Sequence, residues 1–247
     1  MFEPGASQAA GLRAALPAGG ASLVPLASPA QPVQAFDWLC TLAAELQAAG
    51  QPVAVIDGTA AETGAPLGLL HALNDPSVAH LGHPADHPEW LVMPGAQGLG
   101  SLVSTAAVAG AGAALSRLLA PFAAGVLVLL FAAPVTLVSL LGGLPAHALV
   151  PVIAQPQAAI DTYATAKLLH LHGLRPVLAP ATLQGPLAQT TASVVDCAHR
   201  HLGAELAVWP AATWASRLPD AALTRPDIQA WGSAAASAAP AAPALWS

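Results

Sequence analysis

Charge is what this sequence has least of. Only 8% of the 247 residues are charged, seven of them Lys or Arg, and Lys167 is the sole lysine. Recognition of nucleic acid needs clustered cations to neutralise phosphates. Here the few cations are scattered and the net charge is −6, which excludes that class. Cysteine is scarce as well. Cys40 and Cys197 fall in helix-like segments without metal-ligand spacing, so each is expected to act as a small buried hydrophobe in a reducing compartment. Aromatic residues are only 4% against 55% hydrophobic residues, and alanine and proline raise that figure without adding bulky core side chains. The N-terminus, Met1-Phe2-Glu3-Pro4-Gly5, lacks a basic stretch leading into an apolar one. A cytoplasmic location is therefore expected, and the length suits one domain, alone or with tails.

The scarcity of charge raises the question of a membrane span, because no charged residue lies between Arg117 and Asp161. Residues 118–141 are long enough to cross a bilayer. Pro121 and Pro134 interrupt them, residues 125–131 have strand length, and no Lys/Arg cluster flanks them;. A parallel strand buried on both faces gives the same continuous apolar run. A soluble reading leads, and an integral membrane protein with a span near 118–142 is the alternative of another class.

Short apolar runs alternate with helix-length segments, the pattern of a parallel sheet covered on both faces. Strands are expected over 21–27, 52–56, 90–93, 125–131, 148–154, 176–179 and 205–209. Helices are expected over 36–49, 99–119, from Pro156 to about Gly173, and over 190–201. In the first, Phe36, Leu39, Cys40, Ala43 and Leu46 share a face. Ile160, Tyr163, Ala164, Leu168 and Leu171 do so in the third. Residues 60–88 form a less regular excursion, and the Ala/Pro-rich stretch from Gly232 is expected to be disordered.

Four places, in order, resemble the MinD/ParA family of nucleotide-switch proteins. Residues 21–57 match its opening strand–loop–helix–strand, and Pro94-Gly95 resembles its Pro-x-Gly turn with the intervening residue missing. The run 125–131 sits where a Walker B strand belongs. Most specific are Pro156, Asp161, Tyr163 and Lys167, with the spacing Pro-x4-Asp-x-Tyr-x3-Lys of the helix after the fifth strand in MinD and FlhG proteins. At the N-terminus, Ser7-Gln8-Ala9-Ala10-Gly11-Leu12-Arg13 resembles the Asp-Gln-Ala-x-x-Leu-Arg peptide of FlhG proteins. Gln8, Ala9, Leu12 and Arg13 match, and Ser7 replaces the acid. The resemblance implies a three-layer α/β/α fold with a mostly parallel, P-loop NTPase-like sheet. It further implies an N-terminal partner-binding peptide (1–19), a MinD/ParA-like domain (20–215) and a Pro/Ala-rich tail (216–247). In FlhG proteins the peptide stimulates FlhF, a GTPase of the signal-recognition type.

The nucleotide chemistry of that family is missing. A polyphosphate cradle needs glycines, a lysine on the phosphates and a hydroxyl on magnesium. Residues 28–36 read SPAQPVQAF, with no glycine and no lysine, and Pro29 and Pro32 each remove an amide donor;. The presumed Walker B strand runs into Phe131-Ala132-Ala133-Pro134 without an aspartate, and Pro180-Ala181 stand where a base-reading asparagine is expected. Ser28, Gln31 and Asp57 are what remains of the nucleotide site, and for Asp57 a capping or strand-end turn role is favoured. The expectation is a pseudo-ATPase with no catalytic residue, no cofactor and no metal, and any homodimer would not be nucleotide-driven. As a regulator it would act on flagellar number or placement through an FlhF-like GTPase. A MinD-like accessory of the kind found with cellulose synthesis is the other family reading. The C-terminus carries no basic amphipathic stripe, so stable membrane docking is not expected.

Four further features are set aside. His80, His83 and His87, with Asp86 and Glu89, make a dense set of metal-ligand types, but Pro84 and Pro88 prevent a regular helix from aligning them;. Gly110-Ala111-Gly112 lacks the strand and final glycine of a dinucleotide loop, and Ser101 has no triad context. Trp209, Trp214 and Trp231 lie in a Pro-rich region, where packing is expected and a partner surface is the lesser reading.

Overall fold

A computed structural model describes residues 20–30, 35–63, 68–75, 78–79, 81–82 and 90–225. An eight-stranded, mostly parallel sheet forms its centre. The strands are β1 (Ser22–Ala27), β2 (Val53–Asp57), β3 (Leu91–Pro94), β4 (Leu127–Ala132), β5 (His147–Val152), β6 (Arg175–Pro180), β7 (Ala207–Val208) and β8 (Leu223–Thr224). Their order is β3-β2-β4-β1-β5-β6-β7, with β8 antiparallel to β1. Helices cover both faces: α1 (Phe36–Ala48), α2 (Leu69–Asn74), α3 (Ala96–Ala109), α4 (Ala111–Leu119), α5 (Pro134–Leu141), α6 (Ala158–Leu171), α7 (Gly185–Leu202) and α8 (Trp214–Ala221). This is the α/β architecture that the alternation of the sequence implies.

β4 shows why. Leu127, Leu129 and Phe131 point to one face and Val128, Leu130 and Ala132 to the other, all buried. Side chains alternate along a strand, so a strand covered twice must be apolar at every position. That rule also disposes of the span over 118–142. Residues 118–119 end α4, Pro121 and Gly125 turn the chain, β4 follows, and Pro134 opens α5 at its first turn. Among the described residues no helix is long and apolar enough to cross a membrane.

The two faces bury different sets. α1 and α8 cover one, with Trp38, Leu42, Leu46, Trp209 and Trp214 over Val24, Leu26, Val55 and Leu129. The remaining helices cover the other face with leucine, valine and alanine, Leu102, Leu118, Leu140, Ala166, Leu169 and Ala198 among them.

Several local expectations are corrected. The helix expected over 99–119 is two, α3 and α4, broken at Gly110 with φ 88°, so Gly110-Ala111-Gly112 is a helix–helix joint. In α1 the buried stripe is Trp38, Leu39, Leu42, Ala43 and Leu46. Phe36 is half-buried and Cys40 is exposed, so Cys40 is not a core hydrophobe, and Cys197 is only half-buried. In α6 the buried residues are the small Ala158, Thr162 and Ala166 together with Leu169, whereas Ile160 and Leu171 are 66% and 64% exposed. Small residues let the helix lie close to the sheet, which turns the larger apolar side chains outward. α5 is a helix the sequence reading did not contain. The fold also continues past residue 215 through α8 into β8, which pairs at Ser22 and Leu23.

Candidate functional site

A cleft of about 500 Å³ opens at the C-terminal ends of β1, β2 and β4, walled on one side by α6. Crevices at this end of an open α/β sheet are where such folds take ligands. Ser28, Pro29 and Ala30 line it from the end of β1, Gly58 and Thr59 from β2, and Ala133 and Pro134 from β4. Asp161, Ala164 and Thr165 face it from α6. Asp161, chosen from the sequence only as part of a helix signature, is thus placed at the cleft beside Ser28.

Two of the backbone amides at the cleft are already committed to the sheet. The Ser28 amide donates to the Ala132 carbonyl (2.8 Å), and the Gly58 amide donates to the Phe131 carbonyl (2.7 Å). Pro29 has no amide hydrogen to offer. The Ser28 hydroxyl donates to the Pro29 carbonyl (3.1 Å). Asp57, 7% exposed, is held by its own turn, where Oδ1 accepts from the Thr59 amide (2.9 Å) and the Thr59 hydroxyl (2.6 Å). A Cβ on Gly58 would stand 2.3 Å from Leu99 Cδ1 and 3.0 Å from the Phe131 carbonyl oxygen, so the turn packs closely against both. No lining residue among those described carries a positive charge.

Behind the cleft, Glu62 ties two helices together. Its Oε2 accepts from the Leu70 amide at the start of α2 and its Oε1 from the Gly98 amide at the start of α3, each at 2.6 Å. A carboxylate satisfies orphan amides at helix N-termini and complements the dipole there. Arg117 makes the matching link lower down, donating to Ser101 Oγ (3.1 Å), Thr105 Oγ1 (2.8 Å) and Asn74 Oδ1 (3.3 Å). Ser101 is thereby a structural acceptor.

The other sequence-selected residues divide. Of the signature helix, Pro156 and Lys167 are exposed, away from the cleft lining. Tyr163 packs against the core, and burial followed by the adjacent Cys197 thiol pushes its hydroxyl up from the usual tyrosine range. Gln8, Ala9, Leu12, Arg13 and Gln31 lie outside the described residues, as do His80, His83, His87 and Trp231. Trp209 and Trp214 are buried, which removes them from any partner surface. The Trp38 indole donates to the Ala179 carbonyl and the Trp214 indole to the Trp209 carbonyl, both at 2.8 Å. Trp38 and Trp214 meet edge to face with centroids 5.4 Å apart.

Sequence reasoning passed over a second polar cluster at the opposite end of the sheet. There His147 opens β5 and Arg175 opens β6, beside His170 and Glu205. The His147 ring lies 5.6 Å from that of Trp209. Burial, then the Arg175 charge, holds its pKa below the usual histidine value. Chain-order scanning misses this cluster because its members are separated by up to 58 residues, and only strand pairing brings them together.

No protein-family model and no curated protein sequence matches the chain. Among solved structures it is similar to a partition protein at 14% identity and a TM-score of 0.42, over 80% of this chain and 64% of that one. The chain therefore spans less than two thirds of that protein. It is also similar to the MinC:MinD cell division protein complex of Aquifex aeolicus, at 13% identity and a TM-score of 0.38. That likeness covers 79% of this chain and 85% of that one. These are distant likenesses of fold.

Proposed function

We propose that the protein is a non-catalytic regulator on a MinD/ParA-like scaffold, working through protein contacts and not through nucleotide turnover. The single observation that carries this reading is the make-up of the cleft. Phosphoryl transfer depends on cations and free amides placed around the transferred group. The described lining offers prolines, alanines, hydroxyls and the Asp161 carboxylate, and the Ser28 and Gly58 amides are spent on the sheet. Among the described residues, a triphosphate entering this space would meet a negative charge and no compensating one.

The N-terminal peptide supplies the partner in this proposal. Gln8, Ala9, Leu12 and Arg13 match the FlhG pattern, so an FlhF-like GTPase is the partner and flagellar number or placement the process. Without a nucleotide cycle the scaffold would hold one conformational state. Calorimetric titration of the full chain with ATP and magnesium tests the cleft. No binding is expected up to millimolar ATP, and saturable binding in the micromolar range would end the proposal. Deleting residues 1–16 tests the partner half separately, since the expected stimulation of an FlhF-like GTPase should vanish with the peptide.

A further inference from the structure

At the N-terminal ends of β5, β6 and β7 the sheet and the end of α6 line a second, half-open cavity of about 370 Å³. Arg175, at the first position of β6, and Glu205, in the connection before β7, both line it. They are not paired. The ion pairs among the described residues are His71 with Asp75 and Arg200 with Asp196. Both side chains are exposed to solvent, so each is open to a ligand that enters the cavity.

The space between them has an apolar floor. Leu174 is 2% exposed and Leu206 is 8% exposed, and both line the cavity. His147 and His170 stand at its edge.

From this arrangement we infer that the cavity binds a small zwitterion with an apolar body, of the α-amino acid class. The Arg175 guanidinium presents a fork of donors suited to a carboxylate. Glu205 accepts from the ammonium group, and the side chain lies on Leu174 and Leu206. Small-ligand sites of this volume typically combine an apolar lining with a few convergent polar groups. The cavity is at the other end of the sheet from the cleft, so this assignment stands independently of the pseudo-ATPase reading.

Isothermal titration of the full chain with L-leucine, 4-methylpentanoate and isoamylamine tests the inference. L-Leucine should bind, and each analogue lacking one charge should bind at least about tenfold more weakly. Arg175→Ala and Glu205→Gln should each weaken leucine by about tenfold while leaving the melting temperature unchanged. Glu205 lies outside any helix or strand, so its variant keeps the test valid if Arg175→Ala folds poorly. Absence of heat with leucine at about 10 mM overturns the assignment. So does equal affinity for 4-methylpentanoate and leucine, or leucine binding that neither substitution moves.

Discussion

The two faces of the sheet bury the same strands with different materials. Under α1 and α8 lie all four described tryptophans, Trp38, Trp209 and Trp214 buried and Trp90 partly so. Under the other six helices there is no described tryptophan, and the packing is leucine, valine and alanine. The difference follows from coverage. Two helices cannot cover a wide sheet with small side chains, so indoles supply the volume and also spend their N–H groups on the Ala179 and Trp209 carbonyls;. Where six helices are available, small residues bring backbone close to backbone, and volume comes from the number of elements.

The sharpest way to break this comparison is at the indole lock. Trp214→Ala is expected to cost about 3–5 kcal/mol in chemical denaturation, since nothing else on that face can fill the space. A loss below about 1 kcal/mol would show that α8 is not needed there. On the opposite face the vulnerability is reversed, toward added volume. Ala166→Leu, at a fully buried position of α6, should cost about 1–3 kcal/mol by overpacking, and an unchanged denaturation midpoint would mean the helix is loosely seated. Glu62→Gln tests the joint between α2 and α3, because an amide cannot accept with both terminal atoms. A loss of about 1–2 kcal/mol is expected, accompanied by faster amide exchange at Leu70 and Gly98.

The smallest effect concerns His147, which joins β5 to the tryptophan-rich face. Burial and Arg175 lower its pKa in the folded chain, so the unfolded chain takes up the proton first as pH falls. Stability should therefore decline as pH drops through about 6.5, the ordinary histidine value, and be complete above it. His147→Asn should flatten that part of the dependence between about pH 7.5 and pH 5.5. An identical slope in the variant would assign it to another histidine.

Much of the architecture was legible because doubly covered strands leave an unambiguous trace. The runs around Val53, Leu127, Ala148 and Val177 could be placed from apolar continuity alone, even where Pro151 and Pro176 interrupt the ladder. Helix faces were harder in a chain this rich in alanine. In α6 the eye goes to Ile160 and Leu171, whereas the buried side is the small one through Ala158, Thr162 and Ala166. In α1 the expected stripe shares Leu39, Ala43 and Leu46 with the buried one, and Trp38 and Leu42 take the places given to Phe36 and Cys40. α5 went unread because an octet that opens on Pro134 and holds only Thr136 and Ser139 as polar residues is too short to show a clear helical period. The cleft was half legible: Ser28 sits in it and Asp57 directly beneath Gly58 and Thr59. Asp161 reaches it only because α6 folds back across the end of β1, a fact of topology that no spacing records.

β8 has a mechanical consequence. β4 pairs with β1 along its full length, so the Ser22–Thr224 and Leu23–Leu223 pairs must occupy the other edge of β1, beside the start of β5. Because the two strands run in opposite senses, the chain enters at Gly20 and departs at Arg225 on the same side, away from the cleft. Tension applied between the two termini would peel β8 away one rung at a time, like a zipper opened from its pull, before any load reached the parallel strands.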